Sequence, residues 1–107
     1  MAFTGDEGKM IDAATAQKWI DNYEKNLAPG AIKAHFFGFR RFEELLGQDG
    51  AIGLRIYYAK DDAGVDQLIV VAANTKQNNI AKIDGSKLDG LVLDHSYPCP
   101  PYCGGDD

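Results

Sequence analysis

The chain reads as one α+β domain, with two N-terminal helices packed on one face of a small, mainly antiparallel sheet. Helical periodicity is confined to the part before Gly47, and period-two alternation begins at Ile52. Helices followed by strands, rather than strictly alternating with them, point to helices gathered on one side of a sheet. The chain has 107 residues, of which 45% are hydrophobic and 25% charged. That length suits one domain, and a chain of this size buries roughly 60–70% of its unfolded surface, enough for one modest core.

Residues 1–10 are Gly-rich and polar and are expected to be a frayed or extended flexible segment. Asp12 is placed to cap a helix and Ile11 to pack as the residue before the cap. Ala16, Trp19, Ile20, Tyr23 and Leu27 then fall on one helical face, opposite Lys18, Asp21, Asn22 and Lys25. Pro29-Gly30 ends this helix. A second helix is predicted over Phe39–Leu46, with Phe42, Leu45 and Leu46 as its apolar side and Gly47 as its stop.

Ile52, Leu54, Ile56 and Tyr58 alternate with Gly53, Arg55, Tyr57 and Ala59, which predicts a strand with one buried face. Asp61-Asp62-Ala63-Gly64 is turn chemistry. The run from Gln67 to Ala73 reads as a central strand covered on both faces, paired in a hairpin with the strand before it. A polar loop follows over Asn74–Asn79. Short strands are expected at Ile80–Ile83 and Leu91–Asp94, with a turn at Asp84-Gly85-Ser86. The domain is expected to span residues 11–97, and residues 98–107 form a Pro/Cys-rich tail.

A formal net charge of −5 repels phosphate backbones and anionic headgroups, which makes nucleic acid and membrane surfaces poor partners. The first ten residues lack the apolar stretch of a signal peptide, and the longest apolar run, Leu68–Ala73, is too short to span a bilayer. A cytoplasmic location is the default expectation. An extracellular one follows if a leader was removed or if the cysteines are oxidised.

The C-terminus carries the sharpest motif, Cys99-Pro100-Pro101-Tyr102-Cys103 after Pro98. Proline fixes φ and lacks a donor, so this segment cannot be helical or sit centrally in a ladder. In an extended polyproline conformation the two cysteines stand about 12 Å apart, whereas a disulfide needs Cα atoms within about 7 Å. The sulfurs therefore meet only if the chain turns at Pro100-Pro101, a turn that a cis bond between the prolines favours. Without such a turn, Pro98, Pro100, Pro101 and Tyr102 form a stiff projecting element suited to contacting a partner.

His95, Cys99 and Cys103 recur every four residues, and imidazole and thiolate are natural ligands for zinc or iron. They leave an open position for His35 or a second chain to fill. A dithiol redox motif has two intervening residues and opens a helix; this pair does neither.

Other patterns carry less. His35-Phe36-Phe37-Gly38-Phe39-Arg40-Arg41-Phe42 partly matches an RNA-binding strand at Phe37, Gly38, Phe39 and Phe42, but Phe36 and Arg40 break the pattern. Asp61, Asp62 and Asp66 lack EF-hand spacing. Asp94-His95-Ser96 names triad residues, yet neighbours on a strand point to opposite faces. The glycines at 47, 50 and 53 do not form a phosphate loop.

Trp-Ile-Asp-Asn-Tyr at 19–23, Ala-His-Phe-Phe-Gly at 34–38, Gly-Leu-Arg-Ile-Tyr-Tyr at 53–58 and the Cys-Pro-Pro-Tyr-Cys tail resemble a group of short, uncharacterised bacterial proteins. The resemblance covers most of the chain from Ile11 onward. It implies that the tail belongs to the protein, and it brings no established activity, cofactor or catalytic residue. With no catalytic constellation visible, the functional expectation is a non-catalytic structural or protein-interaction module that associates with further copies of itself or with another protein. The alternative is a metal-binding or thiol-dependent protein built on His95, Cys99 and Cys103.

Overall fold

Helix α1 spans Ala13–Glu24. Its start is set by Asp12, whose carboxylate accepts the backbone N–H of Thr15 at 2.7 Å and its hydroxyl at 3.0 Å. These are the bonds an N-cap supplies to otherwise orphaned donors. The computed structural model describes residues 2–81 and 90–105, and within them α1 is followed by β1 (Ala34–Phe36), α2 (Phe39–Leu46), β2 (Gly53–Lys60), β3 (Asp66–Ala73) and β4 (Tyr97–Cys99).

The fold is mixed α+β, but its strands form two separate two-stranded antiparallel sheets, β1–β4 and β2–β3. The single sheet expected from the sequence is not what forms. β1 and β4 are three residues each, with His35 opposite Pro98. Neither was foreseen. Three-residue strands have almost no periodicity to read, and their pairing spans more than sixty positions of chain.

The β2–β3 hairpin was foreseen, with Gly53 opposite Ala73 and Lys60 opposite Asp66. Its turn is built by Asp61, whose Oδ1 accepts the N–H groups of Ala63 and Val65, each at 2.9 Å. Gly64 supplies the positive φ of 83° that this turn requires. The expectation of a doubly covered β3 holds, since Val70, Val71 and Ala72 are fully buried. On its far side β3 meets Leu93 through an isolated bridge at Val70, and Asn79 through another at Ala73. The Leu91–Asp94 strand is thus reduced to one bridging residue. Ile80 donates to the carbonyl of Ala72 at 2.9 Å; the rest of the expected Ile80–Ile83 strand and the turn at 84–86 lie outside the described residues.

The core is small. Leu45 of α2 packs with Val70 and Ala72 of β3, flanked by Phe37, Phe42, Leu54, Ile80 and Leu93. Gln48 fastens the far segment to α2, donating to Leu45 O and accepting the N–H of Leu91, each at 2.9 Å. Gly90 lies against this contact. A Cβ there would stand 3.2 Å from the backbone of Ala81 and from Gln48 Oε1.

Helix α1 corrects the expectation that both helices pack on the sheet. None of its residues is buried, and Trp19, Ile20 and Tyr23 are 59%, 49% and 61% exposed. Ile11 is exposed as well. Among the described residues, the helix is held near its C-terminus. There Glu24 faces Lys33 at 3.8 Å, and Glu24 and Leu27 share a recess with Pro100 and Cys103. A helical apolar stripe requires some surface to cover it, but the periodicity does not say whose.

Candidate interaction surface

The tail is folded back on the domain and does not project. Tyr97–Cys99 is strand β4, so the ladder crosses the expected boundary at residue 98. Lys33 N–H extends the pairing by donating to Cys99 O at 2.8 Å. Pro98 is accommodated because the sheet has only two strands, leaving its missing donor at an edge. The chain then turns: both Cys99-Pro100 and Pro100-Pro101 are cis, and Tyr102 N–H returns to Pro98 O at 2.9 Å. Cys99 and Cys103 form a disulfide, with Cα atoms 4.8 Å apart. Cys99 is buried, whereas Pro100, Pro101 and Tyr102 are exposed. The Tyr102 ring lies 4.9 Å from that of Tyr97.

This geometry separates the expected metal ligands. Each sulfur is bonded to the other, so neither is a thiolate. The His95 side chain is 95% exposed and faces Asp94 at 3.5 Å. His35, the expected fourth ligand, instead holds Ser96 Oγ at 2.7 Å through Nδ1. No cluster of three or more His, Cys, Asp or Glu able to hold a metal ion occurs among the described residues. The acidic turn is likewise occupied: Asp61 caps its own loop, and Asp66 pairs with Lys60.

The His35–Ser96 contact is absent from any sequence pattern, because sixty-one positions separate the two. Its distance is one that a nucleophile and its base would adopt. No third group hydrogen-bonds the imidazole among the described residues, and the pair joins β1 to the segment entering β4. It serves as a clamp between them.

The segment that partly matches an RNA-binding strand is not a strand here: Phe37 and Gly38 are loop, and Phe39–Phe42 form the first turn of α2. Phe37 packs beside Phe42 with ring centroids 6.0 Å apart, and Arg40 lies over the Phe39 ring at 5.6 Å. Phe37, Phe39 and Arg40 line an open groove of about 540 Å³ with Asp94, His95 and Tyr97. Phe36, Phe39 and Tyr97 are each more than half exposed. Asp94 Oδ1 is buried there without a hydrogen-bond partner.

A second apolar area lies on β2. Leu54, Ile56 and Tyr58 share the face that α2 covers, but α2 reaches only the Leu54 end. Ile56 is 52% and Tyr58 94% exposed. Tyr58 and Tyr23 line a common recess of about 460 Å³ with His35 and Leu68. The ionisable groups with perturbed behaviour are all exposed and local. Asp61 is held below the usual carboxylate range, first by the Val65 N–H. Asp12 is lowered by the Thr15 N–H, and Lys60 is raised by its bond to Asp66. Local bonds of this kind shape turns and caps and do not assemble a reactive centre.

No known protein family, curated protein or solved structure matches the chain. No helix among the described residues is long and apolar enough to cross a membrane.

Proposed function

We propose that this chain is a non-catalytic interaction module whose own copies cover its apolar surface. One observation carries the reading. The chain exposes 8280 Å², whereas a compact monomer of its mass exposes about 5900 Å². The excess of about 2400 Å² is of the size that one subunit loses in an obligate homodimer, roughly 1000–2500 Å². The radius of gyration supports it, being 15.7 Å against about 13 Å expected for this length. The exposed area includes Trp19, Ile20 and Tyr23 on α1 and Ile56 and Tyr58 on β2. Aromatic and branched residues grouped this way are the composition of an interface centre.

Sedimentation equilibrium from low to high micromolar concentration tests the reading. The expected result is a dimer or larger species with a concentration-dependent mass. Emission from Trp19, the one tryptophan in the chain, should shift to the blue as the species forms. A strict monomer across the range, with and without reductant, overturns the proposal.

A further inference from the structure

We infer that the outer edge of β2 is the self-association surface, pairing antiparallel with β2 of a second copy to make a four-stranded sheet. This inference rests on the self-association reading and names its interface. The backbone bonds of β3 show which groups β2 presents. Val70 donates to Leu93 O at 3.0 Å and accepts the Leu93 N–H at 2.9 Å, so its polar backbone groups point away from β2. Ile56 lies directly opposite Val70. In an antiparallel ladder, residues alternate between pairs that exchange hydrogen bonds and pairs that do not. Ile56 therefore turns its own N–H and C=O outward, toward the unpaired edge. Leu54 follows the same parity. Ala72, its partner in the ladder, also has its carbonyl turned away, accepting from Ile80 at 2.9 Å. Tyr58 and Lys60 continue the series.

Phe3, Gly5 and Glu7 lie beside the Ile52–Arg55 end of this edge, and beyond that end the usual guards are missing among the described residues. Natural edge strands are blunted by charge, proline, bulges or shortness. β2 is eight residues long and contains no proline. Between Arg55 and Lys60 it reads Ile-Tyr-Tyr-Ala, with no charge. The flanking charges are engaged within the chain: Arg55 with Asn79 at 2.6 Å and Gln77 O at 3.2 Å, and Lys60 with Asp66. No further backbone partner lies along the edge at Leu54, Ile56 or Tyr58 among the described residues.

A two-fold axis at Tyr57 brings the outward-facing positions Ile56 and Tyr58 together. Ile56 then stands opposite Tyr58 of the partner subunit, and Tyr58 opposite the partner subunit's Ile56. Such aromatic and β-branched cross-strand pairs stabilise sheets. A self-complementary patch of this kind gives a closed dimer and not a filament. The exposed half of the α2-facing surface is thereby extended across both subunits, next to the recess that holds Tyr23. The excess of exposed area is of dimer size and the strand is self-complementary about this axis, so the occupant we assign is a second copy.

The test combines sedimentation equilibrium with residue-resolved amide exchange on the full chain. In wild-type dimer, the amides of Leu54, Ile56 and Tyr58 should exchange slowly and become fast on dilution, while those of Arg55 and Tyr57 stay protected by the hairpin. Ile56→Pro removes an outward donor without touching the hairpin ladder, and should weaken association at least about tenfold. Tyr58→Lys places a charge on an exposed edge position and should do the same; it provides the comparison if the proline variant fails to fold. A monomeric wild type overturns the self-association reading itself. A wild-type dimer that survives Tyr58→Lys, or whose outward amides exchange fast while dimeric, overturns only the β2 edge.

Discussion

The β2–β3 hairpin with α2 and the α1 helix with the β1–β4 ribbon contain apolar residues in similar patterns but use them differently. In the first region, Leu45, Val70 and Ala72 are removed from water and hold one another. In the second, Trp19, Ile20, Tyr23, Phe36 and Tyr97 remain exposed. Order there comes from a cap, an ion pair, a His–Ser hydrogen bond and a disulfide. One region is held by burial and the other by local staples. The lesson is that an apolar stripe shows a need for cover, while the supply of cover depends on where the rest of the chain goes.

Three experiments sharpen that contrast, from the largest expected effect to the smallest. Leu45→Ala empties the centre of the only packed layer among the described residues and should cost about 2–5 kcal/mol. Chemical denaturation would show loss of the entire cooperative transition, since α2 and the hairpin share this side chain. A surviving transition with unchanged midpoint would mean that stability resides elsewhere.

The disulfide comes next. It closes a short loop, and replacing both cysteines by serine should lose about 2 kcal/mol through added freedom of the unfolded chain. The expected signature is regional: amide protection falls in β1 and β4 while β2 and β3 keep theirs. Equal loss of protection in both sheets would erase the distinction between the two regions.

The smallest effect concerns Asp12. Asp12→Ala should lower helical circular dichroism from α1 without moving the main unfolding transition, because no α1 residue is buried. The pH dependence follows from the same bonds. Asp12 and Asp61 are held below the ordinary carboxylate range in the fold. Their support is complete above the unfolded-state pKa and is lost as pH falls through the lowered folded-state values. Acid titration should therefore unwind α1 and loosen the hairpin turn on that side of the carboxylate range. In Asp12→Asn the helical part of this response should flatten.

Local chemistry predicted much of the architecture. The Asp12 cap, the extent of α2 from Phe39 to Leu46 and the Asp61–Gly64 turn depend on contacts within a few residues, so they could be read along the chain. The buried β3 strand was legible because an uninterrupted apolar run needs cover on two faces. The site was far less legible. β1 and β4 pair over a long loop, and the His35–Ser96 bond and the burial of Asp94 Oδ1 depend on that pairing. For the Cys-Pro-Pro-Tyr-Cys segment, backbone geometry favoured an extended, projecting form with the sulfurs apart, and the turned form is the one that occurs. The choice was made when Tyr97–Cys99 joined β1 and drew the segment onto the domain.

The sequence alone therefore established the class of the fold, the start of α1, the extent of α2 and the presence of a hairpin, whereas α1 stops at Glu24, short of the expected end at Pro29-Gly30. The established features follow from backbone propensity and nearest-neighbour hydrogen bonding. It also established that α1 has an apolar face. Which surfaces would be covered was set in three dimensions, because burial is a property of distant segments meeting. α2 reached the hairpin and was covered. α1 did not, and its stripe remains exposed.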